Sequence, residues 1–197
     1  PDLSRRLRAG DDAGGQASFS RAAEFGLALT VPAAVALMVI AGPLASVLFQ
    51  RGAFGAEDAA ATALAVAVYG AGLPAFVLQK VMQPLFFARE DTRSPFRYAL
   101  VALVVNALVA IGLAPVIGFI GAAWGTTAAG WAMVWLLWRG SRPMGTAGQP
   151  DARFRSRLPR IIAASALMGV VLWGLSNALA PMLDAAGLRY AALAGLV

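Results

Sequence analysis

The chain has 197 residues, 59% of them apolar and 13% charged, with a mean hydropathy of +0.71; its apolar runs are unbroken, which excludes a soluble helical protein whose helices need polar outer faces. The formal net charge is +6, but the sixteen basic residues are spread over short connections with no dense patch or recognition motif, so no nucleic-acid partner is expected. Cysteine and histidine are both absent, which removes disulfides, thiolate metal sites and the commonest general base, and no cofactor is expected.

The opening Pro1-Asp2-Leu3-Ser4-Arg5-Arg6 has neither an initiator Met nor a signal sequence, and the chain stops inside the apolar run 191–197. Both ends read as cut, and the chain is expected to be a fragment. The first span is 25–49, twenty-five residues without a charge, where about 20 suffice to cross a ~30 Å hydrocarbon core. Pro32 and Gly42-Pro43 are kink points within it. After a short polar turn, Glu57 and Asp58 suit the positive end of a helix dipole. The second span, 59–88, is interrupted by Lys80 and carries Pro74 and Pro84. A charged loop follows, in which Ser94 is expected to cap the next helix and Pro95 to occupy its first turn.

Residues 98–138 hold forty-one positions without a charge, broken by Pro115 and Gly118. That length predicts two spans, 96–114 and 120–138, joined by a very short turn. The second closes on Trp131, Trp135 and Trp138, suited to a membrane interface. Residues 139–160 read as a basic linker whose later half lies on an anionic membrane surface or is disordered. The terminal helix pair, 161–197, is expected to turn at Asp184, Gly187 and Arg189, with its second helix truncated. The predicted fold is an all-α polytopic transmembrane bundle of about five full spans plus a truncated sixth.

Arginine placement tests that count. The first, third and fifth polar segments hold Arg5, Arg6, Arg8 and Arg21, then Arg89, Arg93 and Arg97, then Arg139, Arg142, Arg153, Arg155, Arg157 and Arg160. The alternate connections hold only Arg51 and Arg189, an asymmetry of thirteen to two. The richer side, with residues 1–21, 89–95 and 139–160, is expected to be cytoplasmic.

Three stretches are distinctive: Leu48-Phe49-Gln50-Arg51-Gly52-Ala53-Phe54, the acidic pair Glu57-Asp58, and Lys80-Val81-Met82-Gln83-Pro84-Leu85-Phe86-Phe87-Ala88-Arg89-Glu90-Asp91-Thr92-Arg93-Ser94-Pro95. In order and spacing they resemble the MurJ (MviN) family of lipid II flippases, as does the opening Pro1-to-Arg6 stretch. Phe87 and Ser94 stand where the family usually has Tyr and Thr, and beyond residue 138 only hydropathy agrees. The resemblance implies spans nine to thirteen and part of fourteen of a fourteen-span transporter in the bacterial cytoplasmic (inner) membrane. It implies movement of the undecaprenyl-pyrophosphate-linked peptidoglycan precursor, lipid II, to the periplasmic leaflet by alternating access. Membrane lipids and cell-wall synthesis proteins are the implied partners, and no covalent chemistry is implied. Other readings are an exporter of a different polyprenyl-linked glycan or drug, a membrane-embedded glycosyltransferase, and a non-transporting scaffold.

Lys80 is an ionisable group inside a span, and two readings stand: a cavity-facing contact for phosphate, or an anchor that snorkels about 13 Å to the charged loop. Arg51 reads as part of a tight outer turn, placed to pair with Glu57 or Asp58. Arg89, Asp91 and Arg93 form either a solvated loop or one side of a gate whose ion pairs break and re-form. Some family members have a cation site between the helices that hold Asn106 and Thr126. Here Val109 and Ala110 lie one turn on and supply no carboxylate, so helix-to-helix hydrogen bonding competes with the ion reading. Small residues from Gly121 to Gly130 are expected to allow close packing.

Overall fold

The computed structural model describes residues 11–50 and 53–194, with side chains as far as residue 178. The Pro1-to-Arg6 stretch, and Arg51 and Gly52 of the outer turn, lie outside the described residues. The described residues form five helices, α1 (Asp12–Phe49), α2 (Ala56–Phe87), α3 (Arg93–Ile117), α4 (Ile120–Ser141) and α5 (Ala152–Ala194), with two short 3-10 turns, Arg142–Met144 and Thr146–Gly148, between the last two. All five are long and apolar enough to cross a membrane.

Local chemistry sets their ends. α1 begins well before the charge-free run because Asp11 caps it, its carboxylate accepting from the Gly14 N–H at 2.8 Å. It bends at Ile40 (φ −104°, ψ 15°), three residues before Pro43, whose ring displaces the preceding turn. Asp58 accepts from the Gly55 N–H at 3.0 Å where α2 starts. The expected turn between the third and fourth spans is present: Pro115 sits in the last turn of α3, and Gly118 reverses the chain at φ +61°.

Two connections differ from expectation. The linker shrinks to residues 142–151, because α4 runs on to Ser141 and α5 begins at Ala152. Asp151 caps α5 by accepting from the Phe154 N–H at 2.6 Å, while its own N–H donates to Ser20 Oγ at 3.0 Å. The stretch from Arg153 to Leu158 is therefore helix, neither disordered nor a separate surface segment. The turn at Asp184, Gly187 and Arg189 is also absent, since the backbone is helical without interruption to Ala194. The stretch is rich in Ala and Leu, and one isolated Gly is too weak a breaker to stop it. The side chains there lie outside the described residues.

In space the helices run in the order α5, α1, α2, α4, α3. α4 inserts between α2 and α3, which are neighbours in sequence but barely touch. Missing side chains permit the close approaches. A Cβ on Gly125 would lie 2.7 Å from the Asn106 carbonyl oxygen of α3, and one on Gly130 would lie 2.8 Å from the Phe76 ring of α2. One end of the row is filled by Phe19, Met82, Leu85, Phe86, Met133 and Leu137, with Tyr98 edge-on to Phe86. The outer face of α3 stays bare, with Leu103, Leu108, Ile111 and Val116 exposed, as lipid solvation requires. Trp131, Trp135 and Trp138 are exposed along α4. Arg139 lies 5.7 Å from the Trp135 ring centre and Arg142 4.0 Å from that of Trp138, cation–π contacts suited to an interface.

Candidate functional site

The described basic segments gather at one end of the row. α2 closes there in a Schellman-type turn: the Asp91 N–H donates to Phe86 O at 3.1 Å and the Glu90 N–H to Phe87 O at 3.1 Å. Glu90 occupies the left-handed region at φ +60°, a conformation that costs a non-glycine residue about 1 kcal/mol. This reversal turns Arg89 back across the bundle. Its guanidinium donates to Met144 O at 2.8 Å and Leu85 O at 3.3 Å, and lies 3.9 Å from the Asp12 carboxylate. Arg89 thus joins the end of α2 to the start of α1 and to the turn after α4.

Asp91 does not pair with Arg89. Its carboxylate accepts from the Ser94 N–H at 2.9 Å, so Asp91 caps α3 and the cap expected from Ser94 is not made; the Thr92 side chain makes no cap bond either. The Ser94 hydroxyl and backbone N–H hold the Asp91 carboxyl below the usual carboxylate range. Its stabilising contribution is therefore fully present above the ordinary value near 3.8 and is lost as pH falls through the lowered one. Asp91→Ala is expected to lower the thermal midpoint by a constant amount from pH 7 to about 4, with the gap closing in stronger acid. The Arg93 side chain is exposed and makes no hydrogen bond or ion pair among the described residues, whereas its backbone N–H faces the Asp91 carboxylate. Of the three loop candidates, only Arg89 bridges elements.

Lys80 is exposed on α2 and has no hydrogen bond or ion pair among the described residues. It shares a face with Tyr69 and Phe87, eleven residues before it and seven after, and both are exposed. α1 meets a different face of α2, where Gly26 approaches Val77. α4 meets another: Thr127 Oγ1 donates to Val68 O at 2.9 Å, Trp131 Nε1 to Ala71 O at 3.1 Å, and Gln79 Nε2 to Gly130 O at 3.0 Å. The Trp131 bond reaches the turn that Pro74 leaves short of a donor.

Asn106 and Thr126 are brought together. Asn106 Nδ2 donates to Thr126 Oγ1 at 3.3 Å, and that hydroxyl donates to Ala122 O at 3.0 Å. The pair links α3 to α4, and among the described residues no three Asp, Glu, His or Cys side chains gather there or elsewhere. Arg51 lies outside the described residues. Sequence reasoning missed Glu24, which pairs with Arg157 and lies 3.5 Å from Arg153, tying α1 to α5. Its signal was a single carboxylate at the edge of the first span, but its partners lie about 130 positions away.

The family model described as lipid II flippase MurJ matches residues 1–185. The chain belongs to this family. A probable lipid II flippase MurJ of Rhizobium meliloti (strain 1021) is 40% identical over the whole chain, which covers 37% of that relative. One from Rhizobium tropici is 38% identical over 93% of the chain and 34% of the relative. The chain therefore spans little more than a third of the length of these MurJ proteins. A solved structure described as lipid II flippase MurJ in an inward closed conformation superposes with a TM-score of 0.64 at 20% identity, over 92% of the chain and 42% of that structure. At that identity the likeness bears on fold, and it agrees with the helical row described above. The chain is a multi-pass membrane protein.

Proposed function

We propose that this chain is the later part of a lipid II flippase, a transporter and not an enzyme. Its substrate is the undecaprenyl-pyrophosphate-linked peptidoglycan precursor, which it moves from the cytoplasmic to the periplasmic leaflet of the bacterial inner membrane by alternating access. The observation that carries this reading is the family match over residues 1–185. The arginine-rich end, where Arg89 and Arg153 lie, is the cytoplasmic end by the positive-inside rule. On this reading Lys80 meets the phosphates of the head group, because an unpaired cation within a span is otherwise costly. Arg89 is a gating candidate, since opening this end requires its bonds to Met144 and Asp12 to break. The hydrogen bond between Asn106 and Thr126 supports a packing role for the pair over a cation site. The enzymes that consume the exposed precursor are the cell-wall partners expected nearby.

Two experiments test the reading. A strain depleted of its own flippase is expected to grow when supplied with the full-length protein; lysis despite normal membrane levels would contradict it. For orientation, a cysteine at Gly55 is expected to react with a membrane-impermeant reagent added outside intact cells, and one at Thr146 only after lysis. The reverse pattern would overturn the assignment of sides.

A further inference from the structure

The seam between α1 and α5 holds two adjoining crevices, each of about 270 Å³, that share Ala28. The outer one is lined by Arg21, Glu24, Phe25 and Arg153 at the arginine-rich end. The inner one is lined by Pro32 on α1 and by Ile161, Ala164 and Met168 on α5. Ser165, also in its wall, turns its hydroxyl back onto Ile161 O at 2.7 Å, so the inner crevice offers no free side-chain donor. It ends where Gly169 of α5 lies directly against Val35 of α1. From Arg21 to Pro32 the seam covers eleven residues, about 16 Å at helical rise and close to half of a ~30 Å hydrocarbon core.

Charge and shape together select the occupant. Three guanidiniums, those of Arg21, Arg153 and Arg157, stand around the single carboxylate of Glu24, which Arg153 and Arg157 already share. Arg21 makes no hydrogen bond or ion pair among the described residues. The nearby Asp151 carboxylate is engaged on the first turn of α5. The polar mouth therefore keeps an excess of positive charge at the depth where head groups lie, and the apolar channel beneath it has the length of one leaflet's acyl chain.

We propose that this seam binds an anionic glycerophospholipid of the leaflet bordering the arginine-rich end. Its phosphodiester sits against Arg21 and Arg153, and one acyl chain lies along Ala28, Pro32, Ala164 and Met168. A bound lipid would hold α5 on α1, beyond the ties that Glu24 makes. A polyprenyl chain fits less well, because the channel closes at Gly169 and Val35 after one leaflet's depth. An apolar partner helix would leave the guanidiniums unused.

The test uses the full-length protein in phosphatidylcholine vesicles carrying a trace of phosphatidylglycerol with a photoactivatable acyl chain, the crosslinks being mapped by mass spectrometry. Crosslinks are expected on the α1 and α5 segments that contain Pro32 and Met168. The double variant Arg21→Gln, Arg153→Gln is expected to reduce them by about tenfold or more. Ala164→Trp keeps every arginine and fills the channel, and it is expected to abolish them. Arg155→Gln, two residues from Arg153 and on the opposite side of α5, leaves them unchanged. Equal labelling by photoactivatable phosphatidylcholine, or undiminished labelling in Ala164→Trp, would overturn the proposal. Displacement by polyprenyl pyrophosphate would overturn it too, by assigning the seam to a transported lipid. Labelling is read without transport, so its failure leaves the flippase reading standing.

Discussion

Lys80→Ala in the full-length protein is expected to reduce precursor translocation by about thirtyfold or more, which corresponds to losing about 2 kcal/mol of attraction for a desolvated phosphate. The expectation rests on placement. Lys80 lies on a face of α2 that neither α1 nor α4 covers, and it has no acidic partner among the described residues. A cation left unpaired inside a span either reaches an interface or meets an anionic ligand in a wet cavity. The two roles separate on substitution. Lys80→Arg keeps the charge and is expected to retain most activity, whereas Lys80→Met keeps the apolar stem and loses the charge. If Lys80→Met translocates normally at a normal protein level, Lys80 is an anchor and has no part in substrate binding.

The largest expected effect on stability comes from Gly125→Leu. Even a Cβ at this position would lie 2.7 Å from the Asn106 carbonyl oxygen and 3.0 Å from the Ala110 Cβ, and a backbone carbonyl cannot step aside as a flexible side chain can. The substitution must drive α3 off α4, breaking the Asn106–Thr126 hydrogen bond. Overpacking of this kind costs about 2 kcal/mol or more. A lowered thermal midpoint of the purified protein is the readout. Gly112→Ala on α3 is the matched control: its Cβ meets nothing within 4 Å, and it is expected to leave the midpoint unchanged or raise it, since Ala adds up to about 1 kcal/mol of helix propensity. Equal midpoints for the two variants would refute the close packing of α3 on α4.

Much of this fold was legible in the sequence because lipid imposes long charge-free runs, and charge marks where they end. The runs 25–49 and 98–138, and the break at Pro115 and Gly118, correspond to α1, α3 and α4 in the structure. The helices extend beyond those runs where capping or pairing holds them. Asp11 caps α1 far outside its apolar segment, and Asp151 caps a start of α5 that its arginines disguised as a linker. Glu24, which ties Arg153 and Arg157 to α1, carries no local signal of that role. Nor does hydropathy encode neighbours: the insertion of α4 between α2 and α3 depends on Gly121, Gly125 and Gly130, whose spacing allows close packing without naming the partner helix. At the candidate site, a hydrogen bond joins Asn106 to Thr126, while Arg89 and Asp91 serve different elements.

The direct test is the fraction of lipid II that a membrane-impermeant probe reaches in the periplasmic leaflet, measured in cells depleted of their own flippase and carrying the full-length protein. Exposure is expected to return to the undepleted level with the native sequence and to stay low with Lys80→Ala at equal abundance. Exposure that stays low with the native sequence properly inserted in the membrane would contradict the assignment of this chain to a lipid II flippase.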